Sequence, residues 1–119
     1  MKELLNESRD IEGTIFYLTI FKMYKSYLLL VSDQEKMGIG SVTLGSPPTV
    51  EGLKSTSSSY NLFGIGRKLI STIIVERASH LLKSPVLLML FIKSKKKEED
   101  LAKPLVNFMN EVIANIEEK

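Results

Sequence analysis

The stretch from Tyr60 to Ile92, YNLFGIGRKLISTIIVERASHLLKSPVLLMLFI, constrains the fold of this chain more than any other. It reads as one long amphipathic helix, a Ser84-Pro85 break, and the apolar run Val86-Leu87-Leu88-Met89-Leu90-Phe91-Ile92. A run that is apolar at both parities does not suit a sheet edge, so it predicts a central strand covered on both faces. At about 100° per residue, Leu62, Phe63, Leu69, Ile70, Ile73, Ile74, Ala78 and Leu81 share one broad helix face, expected to be buried. Lys68, Ser71, Thr72 and Ser79 fall on the side expected to be wet. Ile65, Val75 and Leu82 widen the apolar surface beyond what one sheet contact demands, which calls for a second packing partner such as another subunit. Arg77 lies near the middle of the apolar arc, where a charge must snorkel outward or pair across an interface. His80 follows Glu76 by four residues, the spacing of a local pair.

Around that stretch the rest of the chain falls into order. Residues 1–12 are polar and expected to be irregular or frayed. Gly13 opens TIFYLTIF, a β-branched and aromatic mix that fits a pleated surface. The polar Lys22–Ser26 segment turns the chain into Tyr27–Val31, an apolar run of strand length, so the two pair as a hairpin. After the Ser32–Lys36 turn, Met37–Leu44 predicts a third strand whose Gly38 and Gly40 imply a bulge or a close approach by another backbone. Pro47 and Pro48 end it by removing donors and forcing an extended course. Residues 45–59 are then rich in Ser, Thr, Gly and Pro and read as a flexible loop, long enough to be a candidate for partner contact. Beyond Ile92, Glu98 to Glu118 carries Leu101, Ala102, Leu105, Val106, Phe108, Met109, Val112, Ile113 and Ile116 on one stripe, a second amphipathic helix. Pro104 is tolerated in it if it lies near the first turn. The order β-β-β-loop-α-β-α predicts a single α+β domain over residues 1–119, a mostly antiparallel sheet with both helices packed on it.

Several function classes lose support on composition. With 16 basic and 14 acidic residues the net charge is only +2, without the strongly basic face of a nucleic-acid binder. The absence of Cys removes thiolate zinc sites and Cys nucleophiles and suits a reducing compartment. One His with no companion ligand makes a poor metal site. MKELLNESRDIEG mixes charges without an apolar core, unlike a signal peptide. The apolar stretch Ile15–Val31 is interrupted by Lys22 and Lys25 and falls short of the ~20 residues a spanning helix needs. These features predict a soluble, cytoplasmic protein that binds neither membrane nor nucleic acid.

Candidate chemistry concentrates at Gly64-Ile65-Gly66-Arg67-Lys68. Glycines two apart at a helix start let backbone N–H groups approach a phosphate, and the helix terminus adds partial positive charge. Gly64, Gly66, Arg67 and Lys68 would line such a site. GIGRKLI resembles the pyrophosphate-binding segment of acetyl-CoA-dependent N-acetyltransferases, which implies a small acyltransferase-like or nucleotide-binding protein. Asn61 departs from that family's first motif position, and the serine-rich segment before it replaces the family's apolar strand. The P-loop and dinucleotide-binding patterns are incomplete. No nucleophile, base and acid set emerges, and no carboxylate pair can be nominated for acid–base work.

A second resemblance covers most of the chain. Ser26–Val31, Ser55-Thr56-Ser57, Phe63–Leu69 and Ser84–Ile92, in that order, look like the small proteasome-assembling chaperones, the third and fourth kinds in particular. The resemblance implies a non-enzymatic homodimer or heterodimer, without cofactor or metal, that holds proteasome α-subunits during ring assembly. The residues expected to meet partners are Pro47, Pro48, Val50 and Leu53 from the loop and Ile65, Val75 and Arg77 from the helix. A dimeric scaffold of the roadblock or longin kind shares the helix-on-sheet architecture and stands as a further alternative.

Overall fold

The structure, a computed structural model, describes residues 1–47, 56–61 and 68–117. The expected flexible-loop residues Pro48, Val50 and Leu53, and the helix-start residues Gly64, Ile65, Gly66 and Arg67, lie outside the described residues, as does the side chain of Lys68. Among the described residues, six strands and two helices follow one another as β1 (Lys2–Ile11), β2 (Thr14–Met23), β3 (Ser26–Ser32), β4 (Ser41–Ser46), β5 (Thr56–Asn61), α1 (Lys68–Leu82), β6 (Val86–Phe91) and α2 (Glu98–Glu117). The strands form one sheet in the order β1-β2-β3-β6-β4-β5. Every neighbouring pair is antiparallel except β3 with β6. The architecture is α+β with a mostly antiparallel sheet.

Residues 2–11 correct the expectation of a frayed start, because they form an edge strand along the whole of β2. Glu12 and Gly13 make the turn with φ of 53° and 84°, the left-handed pair that suits the twist of a two-residue hairpin. The Gly13 N–H also donates to Asp10 Oδ1 at 2.9 Å. Five charged residues in KELLNESRDI hide the period-2 signal, yet they are what an exposed edge uses to avoid further pairing. At the far edge, Tyr60 and Asn61 belong to β5, paired with Val42 and Ser41. They are strand residues rather than the start of the helix, and the expected loop of 45–59 gives its two ends to β4 and β5.

The third strand begins later than the sequence suggests, at Ser41, and the glycines before it explain why. A Cβ on Gly40 would stand 2.3 Å from the Leu90 carbonyl oxygen, and one on Gly38 would stand 2.7 Å from the Phe91 ring. The expected close approach by another backbone is realised at Gly40.

Both helices cover one face of the sheet: α1 packs on β4, β5, β6 and α2, and α2 packs on α1 and β1. The core between the layers is made by Phe16, Leu18, Ile20, Leu29, Val31, Val86, Leu88 and Leu90 from the sheet, with Ile70, Ile74, Val75, Leu101, Phe108 and Ile113 from the helices. Arg9 on β1 stacks over the Phe108 ring, 4.6 Å from its centroid, and pairs with Glu111, fastening the edge strand to α2. α1 closes with Lys83 in the left-handed region (φ 53°) and Ser84 N–H donating to the Ser79 carbonyl at 3.3 Å, a Schellman cap that hands the chain to Pro85. Pro104 sits in the second turn of α2 rather than near its first. Lacking an N–H, it leaves the Asp100 carbonyl without its helical donor.

Candidate interaction surfaces

The helix face that meets the sheet is rotated from the one periodicity suggests. Ile70, Ser71, Ile74, Val75, Ala78 and Ser79 are buried, whereas Leu69 is 49% exposed. The cause lies in β4, whose inward residues Ser41, Thr43 and Gly45 are small and buried. Small residues on both elements let them approach closely: Ser41 Oγ and Ser71 Oγ are 3.4 Å apart. A Cβ on Gly45 would fall 2.8 Å from the Val75 carbonyl oxygen. Hydrophobicity alone ranks Leu69 and Ile73 above Ser71 and Ser79, but the closest packing goes to the small residues. The Ser79 hydroxyl is satisfied locally, donating to the Glu76 carbonyl at 3.1 Å.

That rotation redistributes the residues expected to meet partners. Val75 is wholly buried against β4 and belongs to the core, so its expected place on a partner surface is corrected. Arg77 is exposed rather than set in the apolar arc, and its Nε donates to Asn110 Oδ1 on α2 at 3.3 Å. Pro47 is half-buried just after β4. The remaining four, Pro48, Val50, Leu53 and Ile65, lie outside the described residues. His80 is exposed, and the expected pair with Glu76 does not form.

The α1 terminus bears on the phosphate-site alternative. The Ile70 N–H donates to Glu98 Oε1 at 2.8 Å, so a carboxylate from α2 already occupies the first turn of α1, where an anion would be drawn. A phosphate arriving there would meet a like charge.

On the opposite side of the sheet the described residues place no helix. β6 alternates between buried and half-buried, which corrects the expectation that both of its faces are covered. Its half-buried residues line up with their neighbours. Phe21, Leu28, Leu87 and Leu44 form one row, and Thr19, Leu30, Met89 and Val42 the next. Tyr17, Ser32 and Phe91 form a third. Seven large apolar side chains occupy the first two rows, and Leu44 is 47% exposed. Sequence reasoning missed this surface because an uninterrupted apolar strand reads as covered twice. The signal was present in β2, where Phe16, Leu18 and Ile20 alternate with Tyr17, Thr19 and Phe21.

A concavity of about 440 Å³ lies at the polar end of that face, lined in part by Asn6, Ser8, Tyr17, Thr19, Ser32 and Gln34. Beside these hydroxyls and amides it is lined by Glu7 and Glu35, with no His, Lys or Arg. Among the described residues no group of three or more His, Asp or Glu is placed to hold a metal ion, and no helix is long and apolar enough to cross a membrane.

No protein-family model and no curated protein matches the sequence. Solved structures do match in shape. One is a chain from the crystal structure of a chaperone complex for yeast 20S proteasome assembly, with a TM-score of 0.60 over 95% of this chain and 94% of that one, at 10% sequence identity. At that identity the likeness shows a shared fold.

Proposed function

We propose that this chain is a non-enzymatic, chaperone-like interaction module that acts in the cytoplasm as a dimer during assembly of the proteasome α-ring. The observation that carries this reading is the likeness, along nearly the whole of both chains, to a chaperone of 20S proteasome assembly. The open sheet face supports the dimeric part. Strands spaced about 4.8 Å apart give six of them a face roughly 24 Å wide, and six-residue strands make it roughly 20 Å long. That footprint of roughly 480 Å² is somewhat over half of the ~800 Å² per partner that a standard interface buries. Two such faces, from identical or related chains, would stack as sheets do in a sandwich. Arg77, exposed on the helix layer, faces away from that pairing and stays available to other proteins. Light scattering on the eluting protein, with affinity capture from its native cell, tests the reading. It expects twice the chain mass and recovery of proteasome α-subunits; a monomer at high concentration that captures no α-subunit overturns it.

A further inference from the structure

The connection from β6 to α2, Lys93-Ser94-Lys95-Lys96-Lys97, has an unusual amount of its backbone fixed. Asp33, just past the end of β3, accepts from the Lys93 N–H at 2.9 Å and from the Ser94 N–H at 2.7 Å. Ser94 Oγ accepts from the Lys96 N–H at 3.2 Å, the Lys97 carbonyl accepts from Asp100 N–H at 3.0 Å, and the Lys96 ammonium turns back to the Glu12 carbonyl. Exposure alternates along this wired segment. Lys93, Lys95 and Lys97 are exposed, while Ser94 and Lys96 are half-buried.

None of the three outward lysines pairs with a carboxylate among the described residues. Lys93 only approaches the Phe91 ring, 5.8 Å from its centroid. The acidic run that follows is engaged elsewhere: Glu98, Glu99 and Asp100 form the first turn of α2, where negative charge answers the helix terminus, and Glu98 also accepts from α1. Three cations are thus presented in a row from a backbone already held in place.

We propose that this loop is a docking site for an extended acidic segment of a partner protein. Three exposed cations within five residues, on a backbone that bends at Lys96, complement in charge a ligand that carries several carboxylates in close succession. Because the loop is fixed before binding, little ordering cost is added on association. Lys93 borders the open sheet face at Phe91, whereas Lys95 and Lys97 follow beyond the end of β6, so peptide binding and dimer mass are read as separate outcomes.

The test is fluorescence anisotropy on the full chain with a labelled peptide of alternating Glu and Ser, at low salt and again above physiological salt. The inference expects binding that weakens with salt. It also expects about a tenfold loss in a Lys93→Ala, Lys95→Ala, Lys97→Ala variant, the combined effect of three exposed charge pairs. Circular dichroism should show that variant folded. Asp33→Asn keeps every lysine and loosens the clamp while removing a negative charge beside it, so a roughly threefold weaker binding despite that more favourable charge is the result expected for lost pre-organisation. No peptide binding, or binding unaltered in the triple variant, overturns the inference. Binding of a single-stranded oligonucleotide in place of the peptide also overturns it.

Discussion

Asp33 and Ser94 meet just past the end of β3 and β6, the one parallel strand pair among the described residues, the carboxylate of one 2.7 Å from the backbone N–H of the other. The second oxygen of Asp33 takes the Lys93 N–H, and the Asp33 N–H itself donates to the Phe91 carbonyl at 3.3 Å. One side chain therefore satisfies two donors that the end of β6 would otherwise leave open, where β3 and β6 part company. Hydrogen bonds to a charged acceptor contribute more than neutral ones. Asp33→Ala is expected to lower unfolding free energy by about 2 kcal/mol in urea titrations, with Asp33→Asn losing about half as much. A change below the error of the titration would mean that water replaces the clamp without cost.

How far the sequence reveals this fold depends on which residues carry the signal. β2, β3, β6 and α2 are legible because apolar side chains mark them. β1 is not, since its charges suit an edge and its pairing is specified by the Glu12-Gly13 turn and by β2. The orientation of α1 is misread for a different reason. Periodicity weighs hydrophobicity, whereas the helix seats itself on β4 by size, through Ser71 against Ser41 and Val75 against Gly45. The Asp33 clamp joins residues 61 positions apart, and nothing local in the chain announces it.

The seat of α1 on β4 makes a direct prediction at Gly45. A methyl group there falls 2.8 Å from both the Val75 carbonyl oxygen and a Val75 methyl, so the helix must lift from the strand. Gly45→Ala is expected to destabilise the fold by about 2 kcal/mol, the usual scale of overpacking. Gly40→Ala, where the obstacle is the Leu90 backbone, should cost at least as much. Val75→Ala should partly restore Gly45→Ala, because it removes the methyl half of the clash. Thermal unfolding of the two single variants and the double variant checks this, and strict additivity would show that α1 does not rest on Gly45.

Glu98 joins the starts of the two helices by accepting from Ile70 N–H. α1 has no acidic residue in its own first turn, so this borrowed carboxylate serves as its cap. Glu98→Ala is expected to cost about 1 kcal/mol, as the loss of a capping acceptor does. The same carboxylate opposes anion binding, and calorimetry with acetyl-CoA or a nucleoside triphosphate should give no heat with the unaltered chain. Heat of binding that grows in Glu98→Gln would revive Gly64, Gly66, Arg67 and Lys68 as a phosphate site.

Met89 stands at the centre of the open sheet face, between Leu30 on β3 and Val42 on β4. Its neighbours in the next row are Leu28, Leu87 and Leu44, so a charge placed there is ringed by apolar side chains. In a lone chain Met89 is only half-buried, and a lysine can snorkel from that position into water at little cost to the fold. In a stacked pair the same lysine would be desolvated beside its own copy, and burying an unpaired charge costs several kcal/mol. Met89→Lys is therefore expected to leave thermal stability at low concentration within about 1 kcal/mol of the unaltered chain while shifting the light-scattering mass from dimer to monomer. Arg77→Ala, on the opposite layer, should leave the mass unchanged. If both variants remain dimeric, the pair does not form through the sheet face, and the outer surface of α1 near Leu69 and Ile73 becomes the place to look.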